Sequence, residues 1–160
     1  MTNTRFWKNF GLMLVLGVFI AGCTGTARPI LSDLFESPEV NARKGVMRSM
    51  SKAWKGVKGA VKKGDMKAAG KAAKKLYNAS KKIKKAFKKK GNAIVTRALP
   101  SIWKNKGKFN LNADGLGANA AVFAQIWSKS SDKKKVGAAM KRIGKSCGGC
   151  HKAFRAKKKK

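Results

Sequence analysis

From residue 37 onward, apolar side chains recur at three- and four-residue steps, the period of a helix with one buried face. The first stripe is Val40, Met47, Met50, Trp54, Val57 and Val61, interrupted only where Arg43 stands. It opens at Ser37-Pro38-Glu39, which reads as a helix start: a hydroxyl N-cap, proline at the first helical position and a carboxylate near the positive end of the dipole. Gly64-Asp65 stops this helix and caps a second, whose stripe is Met66, Ala69, Ala73, Leu76, Ser80, Ile83 and Phe87. Between Lys88 and Asn112 the period lapses, and Gly91, Pro100 and Gly107 mark a long connection with room for a short helix around Ile102 and Trp103. A third stripe runs Leu116, Ala120, Phe123 and Trp127; after Ser131-Asp132, a fourth runs Val136, Met140, Ile143, Cys147, Cys150 and Phe154. No segment alternates with period two over a useful length, so strands are not expected. Four amphipathic helices with narrow seams predict an all-α fold, a four-helix bundle with its long connection between the second and third helices.

The fourth stripe ends in Cys147-Gly148-Gly149-Cys150-His151. C-x-x-C-H is the spacing by which two thiols add to the vinyl groups of a haem while the adjacent imidazole coordinates its iron. Three- and four-residue helical spacings put all three side chains on one face. A zinc site would need further ligands, yet the chain holds three Cys and one His in all. A thioredoxin-like dithiol expects a preceding strand and a βαβ setting, whereas these flanks are lysine- and alanine-rich helix. One covalent haem c is therefore the expected cofactor, carried near the end of the last helix.

At the amino terminus, Arg5 and Lys8 precede an apolar run from Phe10 to Ala21, too short for a confident spanning helix. The run closes in Ile20-Ala21-Gly22-Cys23, which resembles a bacterial lipoprotein signal. That resemblance implies removal of residues 1–22 and lipidation of Cys23, which accounts for the odd cysteine; an ordinary signal peptide cut near Ala21 or Gly22 is the plainer alternative. Either way the chain is exported, to the periplasmic face of a bacterial membrane when lipid-anchored or to the soluble periplasm when not. Residues 23–36, with Gly25, Pro29 and small polar residues, read as a membrane-proximal tether. Residues 37–160 form a single domain of haem-binding bundle with a lysine-rich tail.

Placed on this bundle, the motifs resemble those of class II cytochromes c, the cytochrome c-prime and cytochrome c-556 group. The matching residues are Pro38-Glu39, Arg43 with Met47 four residues on, Leu99-Pro100-Ser101-Ile102-Trp103, and Cys147 through Arg155. The resemblance covers about residues 38 to 157 and implies thioethers at Cys147 and Cys150, a proximal iron ligand at His151 and a haem propionate beside Arg43. In c-prime members an apolar or aromatic side chain covers the distal face and leaves iron five-coordinate; in c-556 members a methionine of the first helix closes the site. Met47 stands in that register, and Met50, one turn on, is then a haem contact. A thioether is a soft, neutral ligand that favours reduced iron, so a His/Met pair suits electron transfer. Arginine on an inward stripe is costly to bury without a counter-charge, and a propionate supplies one with bidentate geometry; the plain reading puts its head in water at the seam's edge. Trp54, Trp103, Phe123, Trp127 and Phe154 are candidates to shield the haem, or simply core.

Charge adds a second expectation. Lys+Arg number 39 against 6 Asp+Glu, a formal +33. Such a surface self-repels and is drawn to anionic partners within a Debye length: acidic redox proteins, lipid headgroups, cell-surface polyanions or minerals. In a cytoplasmic protein it would suggest nucleic-acid binding; the export signal argues against that. No paired carboxylates and no Ser/His or Cys/His constellation stand apart from the haem motif, so an enzyme is not indicated. The function expected is electron transfer through a His/Met haem, with a gas-binding c-prime type and a cationic polyanion-binding protein as alternatives.

Overall fold

The computed structural model describes residues 37–91, 96–129 and 132–157; the proposed signal (1–22), Cys23, the tether (23–36), the side chain of Trp127 and the last three lysines lie outside the described residues. Among the described residues six helices follow in order: α1 (Pro38–Lys62), α2 (Met66–Ser80), α3 (Ile83–Ala86), α4 (Ser101–Lys104), α5 (Lys106–Lys129) and α6 (Lys133–Phe154). The four long ones are the expected bundle. Extended pairing among the described residues is limited to one isolated antiparallel bridge between Ala98 and Arg155.

Local chemistry sets most helix starts. Asp65 accepts from the Ala68 N–H at 2.8 Å, and Asp132 accepts from the N–H groups of Lys134 and Lys135 at 2.8 and 3.3 Å, satisfying donors that the first turn leaves open. The expected hydroxyl cap at Ser37 is absent: its side chain makes no capping bond, and only its carbonyl accepts, from Val40 and Asn41. Gly91 sits beside that hydroxyl instead. Its φ of +60° brings the connection against α1, where a Cβ would collide with Ser37 Oγ and approach Glu39 Cβ to 3.0 Å.

Two elements differ from the sequence pattern. The second stripe continues inward through Ile83 and Phe87, both buried, but its helix breaks after Ser80. There Ser80 Oγ donates to the Tyr77 carbonyl at 2.7 Å and the Lys82 N–H turns back to Ala79, tightening the last turn. The third helix starts at Lys106, ten residues before Leu116, because Phe109 and Ala113 extend its buried stripe. Gly117 lets this helix lie close on α2: a Cβ there would stand 3.1 Å from Ser80 Oγ.

Helices pack as neighbours in a chain, α1 along α2, α2 along α5 and α5 along α6. α1 does not pack along α6. Buried Val57, Ala69, Ala73, Ala120, Phe123 and Ile143 fill the middle of the bundle. Nearer the end where α6 terminates, Phe109 packs against Phe87 at 5.0 Å and edge-on against Phe154 at 5.3 Å.

Candidate functional site

The gap between α1 and α6 is a cavity of about 540 Å³, a volume typical of cofactor pockets. Cys147, Cys150 and His151 reach it from α6, and Arg43, Met47 and Met50 reach it from α1. Leu76, Ile83, Phe87, Ile102, Phe109 and Leu116 contribute an apolar lining from the elements between. Of the candidate thioether, ligand and propionate residues, all within the described residues are thus brought to one cavity, as are Trp54 and Phe154 of the candidate shielding aromatics, whereas Trp103 and Phe123 do not line it.

Electrostatics on the α6 wall follow from burial. Both cysteines are half-buried and in no disulfide; burial pushes the Cys147 thiol up, and burial followed by the neighbouring Cys147 does the same to Cys150. His151 is held below its ordinary value, first by burial and then by the positive charges of Arg155 and Arg97. That favours neutral imidazole, the form that coordinates a metal. Among the described residues no cluster of three or more His, Cys, Asp or Glu is disposed to hold a bare metal ion. The residues fit a haem instead: a largely apolar lining, two thiols one turn apart and an imidazole beside them, with a macrocycle to supply the ligands the protein lacks.

Arg43 is 4% exposed, which rules out a guanidinium with its head in water. Its Nη1 donates to the carbonyls of Lys89 and Lys90, and the Phe87 and Trp103 rings flank the charge at 5.5 and 5.4 Å. Burial lowers its pKa and the nearby Glu39 raises it. Trp103 Nε1 donates to the Phe87 carbonyl at 3.1 Å, and Lys106 Nζ reaches the same oxygen. The 87–90 segment is therefore clamped onto the cavity by three side chains from three helices or their junctions.

Among the lining residues that escaped the sequence pattern are Arg97, Phe109 and Ser146. Arg97 donates through Nε and Nη2 to the Ala156 carbonyl at 2.9 and 2.7 Å, which sets it beside the end of α6 and His151. Phe109 had a signal, its spacing to Ala113 and Leu116. Ser146, which accepts from Asn119 Nδ2 at 2.9 Å, had none beyond its place one residue before Cys147.

The family model described as Cytochrome C' matches residues 38–155. A cytochrome c-556 from Agrobacterium fabrum (strain C58) is 32% identical over 129 residues, covering 78% of this chain and 86% of the relative. A second, from Agrobacterium tumefaciens (strain II Chrys), is 33% identical over 124 residues, 75% of this chain and 98% of the relative. Among solved structures, cytochrome c-prime from Shewanella frigidimarina superposes with a TM-score of 0.67 at 28% identity, over 77% of this chain and 99% of that one. A nitric oxide complex of a variant of cytochrome c-prime from Alcaligenes xylosoxidans shares the fold, with a TM-score of 0.64 at 24% identity over 74% and 94% of the two chains. With the family match spanning all four long helices, the chain belongs to the cytochrome c-prime family of class II cytochromes c, whose cofactor is covalently bound haem c.

Proposed function

We propose that this cytochrome carries single electrons outside the cytoplasmic membrane, with its haem joined by thioethers to Cys147 and Cys150 and its iron held between His151 and Met47. The observation that carries the reading is that Met47 and His151 line one cavity from two helices that do not pack together. Bound there, the haem supplies an iron that exchanges one electron between ferric and ferrous states. The chain's own residues set the terms of that exchange. His151, kept neutral by burial and its arginine neighbours, offers a nitrogen lone pair. Met47 offers a neutral sulfur, which bonds reduced iron well and raises the potential. The apolar lining excludes water, and Arg43 supplies positive charge at the edge for a propionate. Met50, on the same wall of the cavity, would pack against the macrocycle. Residues 1–22 act as the export signal, and lipid on Cys23 ties the protein to the periplasmic face of the membrane.

A second reading is favoured by the solved neighbour described as a nitric oxide complex: Met47 only packs, iron is five-coordinate, and the open position takes a small gas. Replacing Met47 by Leu separates the two. The substitution keeps volume and apolarity, so the fold should lose less than about 1.5 kcal/mol. On the electron-transfer reading, low-spin iron becomes high-spin and binds carbon monoxide, and the potential falls. An unchanged spin state would leave Met47 a packing residue.

A further inference from the structure

We infer that the lysines of 81–90 form the docking surface for an acidic redox protein, on a segment whose inward side chains line the haem cavity. This rests on the electron-transfer reading and names its partner class. Within ten residues stand Lys81, Lys82, Lys84, Lys85, Lys88, Lys89 and Lys90, all exposed, while Ile83 and Phe87 between them turn inward and line the cavity. One segment thus presents cations to solvent and its apolar side to the cofactor, with no second layer of protein between. The clamp of Arg43, Trp103 and Lys106 on the carbonyls of Phe87, Lys89 and Lys90 fixes that surface relative to the cavity. Charge offset is slight: Lys84 pairs with Asp114 at 2.8 Å and Lys89 lies near Glu39.

Lysines at the other end of the bundle lack this placement. Lys62 and Lys63 end α1, and Lys133, Lys134 and Lys135 begin α6, at the opposite end of the bundle. At a rise of 1.5 Å per residue, Lys133 is about 20 Å along the axis from Cys147. The two capping aspartates, Asp65 and Asp132, also sit at that far end. Between Lys108 and Lys129, α5 has no basic residue at all, and Leu111 stands 73% exposed on it. The charge is therefore uneven and orients the molecule towards an anionic surface. Electron transfer falls steeply with distance, and a partner docked on 81–90 is separated from the cavity by that one segment. In the encounter the partner's reduced centre would give up one electron and the haem iron would take it, ferric becoming ferrous.

The test uses the holoprotein and flavodoxin, an acidic one-electron donor, with two five-fold variants of equal net charge. The first carries Lys81, Lys82, Lys85, Lys88 and Lys90 changed to Gln. The second carries Lys62, Lys63, Lys133, Lys134 and Lys135 changed to Gln. Calorimetry with oxidised flavodoxin gives the affinity, and stopped-flow with the reduced form gives the rate. The first variant should weaken binding and slow reduction roughly tenfold or more at low salt, and the second less than about threefold. Equal losses would make net charge rather than the patch responsible and overturn the proposal. Capture of anionic lipid vesicles by the same lysines, with no binding of flavodoxin, would also overturn it. Low-spin wild-type iron alongside either result leaves the coordination reading intact, so the two failures are distinguishable.

Discussion

Arg43 Nη1 donates to the carbonyl oxygen of Lys90 at 2.8 Å, tying the start of α1 to the connection that leaves α3. With the second bond to Lys89 and the flanking rings of Phe87 and Trp103, a charged group is buried without a carboxylate in hydrogen-bond contact. Replacing Arg43 by Leu strands both carbonyls and should cost about 3 kcal/mol in denaturant unfolding. Arg43→Lys keeps the charge, loses the planar fork, and should cost about half as much. A loss under about 0.5 kcal/mol for the leucine variant would show the clamp to be dispensable.

Gly91 carries a similar prediction on the other partner. At φ +60° with Ser37 Oγ in the path of a Cβ, Gly91→Ala should lower stability by about 2 kcal/mol, because both backbone and contact resist the added carbon. Equilibrium unfolding measures it, and Ser37→Ala in the same background should recover part of the loss by opening the space.

Covalent attachment is tested at the cysteines. Cys147→Ser and Cys150→Ser should each leave one thioether, with haem still present in the intact mass. The double variant should release its haem to acid acetone. Haem lost by extraction from the wild-type protein would contradict both thioethers.

For the anchor, Cys23→Ser should abolish the diacyl or triacyl mass and release the protein from membranes on export. A mature terminus elsewhere than Cys23 would remove the lipid altogether.

What the sequence disclosed was what local chemistry decides. The starts of α2 and α6 were legible because Asp65 and Asp132 cap groups two or three residues away. Ser37 looked equally good, but its side chain makes no cap and instead sits beside Gly91, a neighbour more than fifty residues distant in the chain that no local pattern carries. The first ten residues of α5 were hidden because Gly107, Asn110 and Asn112 have poor helix propensity, and tertiary burial of Phe109 overrides it. In the site, C-x-x-C-H spans five residues and announces itself, whereas Met47 and Arg43 gained meaning only from their register in a known family. Arg97 was invisible because its place beside His151 is made by the chain crossing the end of α6.

The most direct measurement is the absorption spectrum of the purified wild-type protein, oxidised and reduced, before and after carbon monoxide. Coordination by His151 and Met47 predicts low-spin, six-coordinate iron in both states, a sulfur-to-iron charge-transfer band when oxidised, and little response to carbon monoxide when reduced. High-spin iron in either state, with rapid carbon monoxide binding, would contradict it and leave the gas-binding reading in its place.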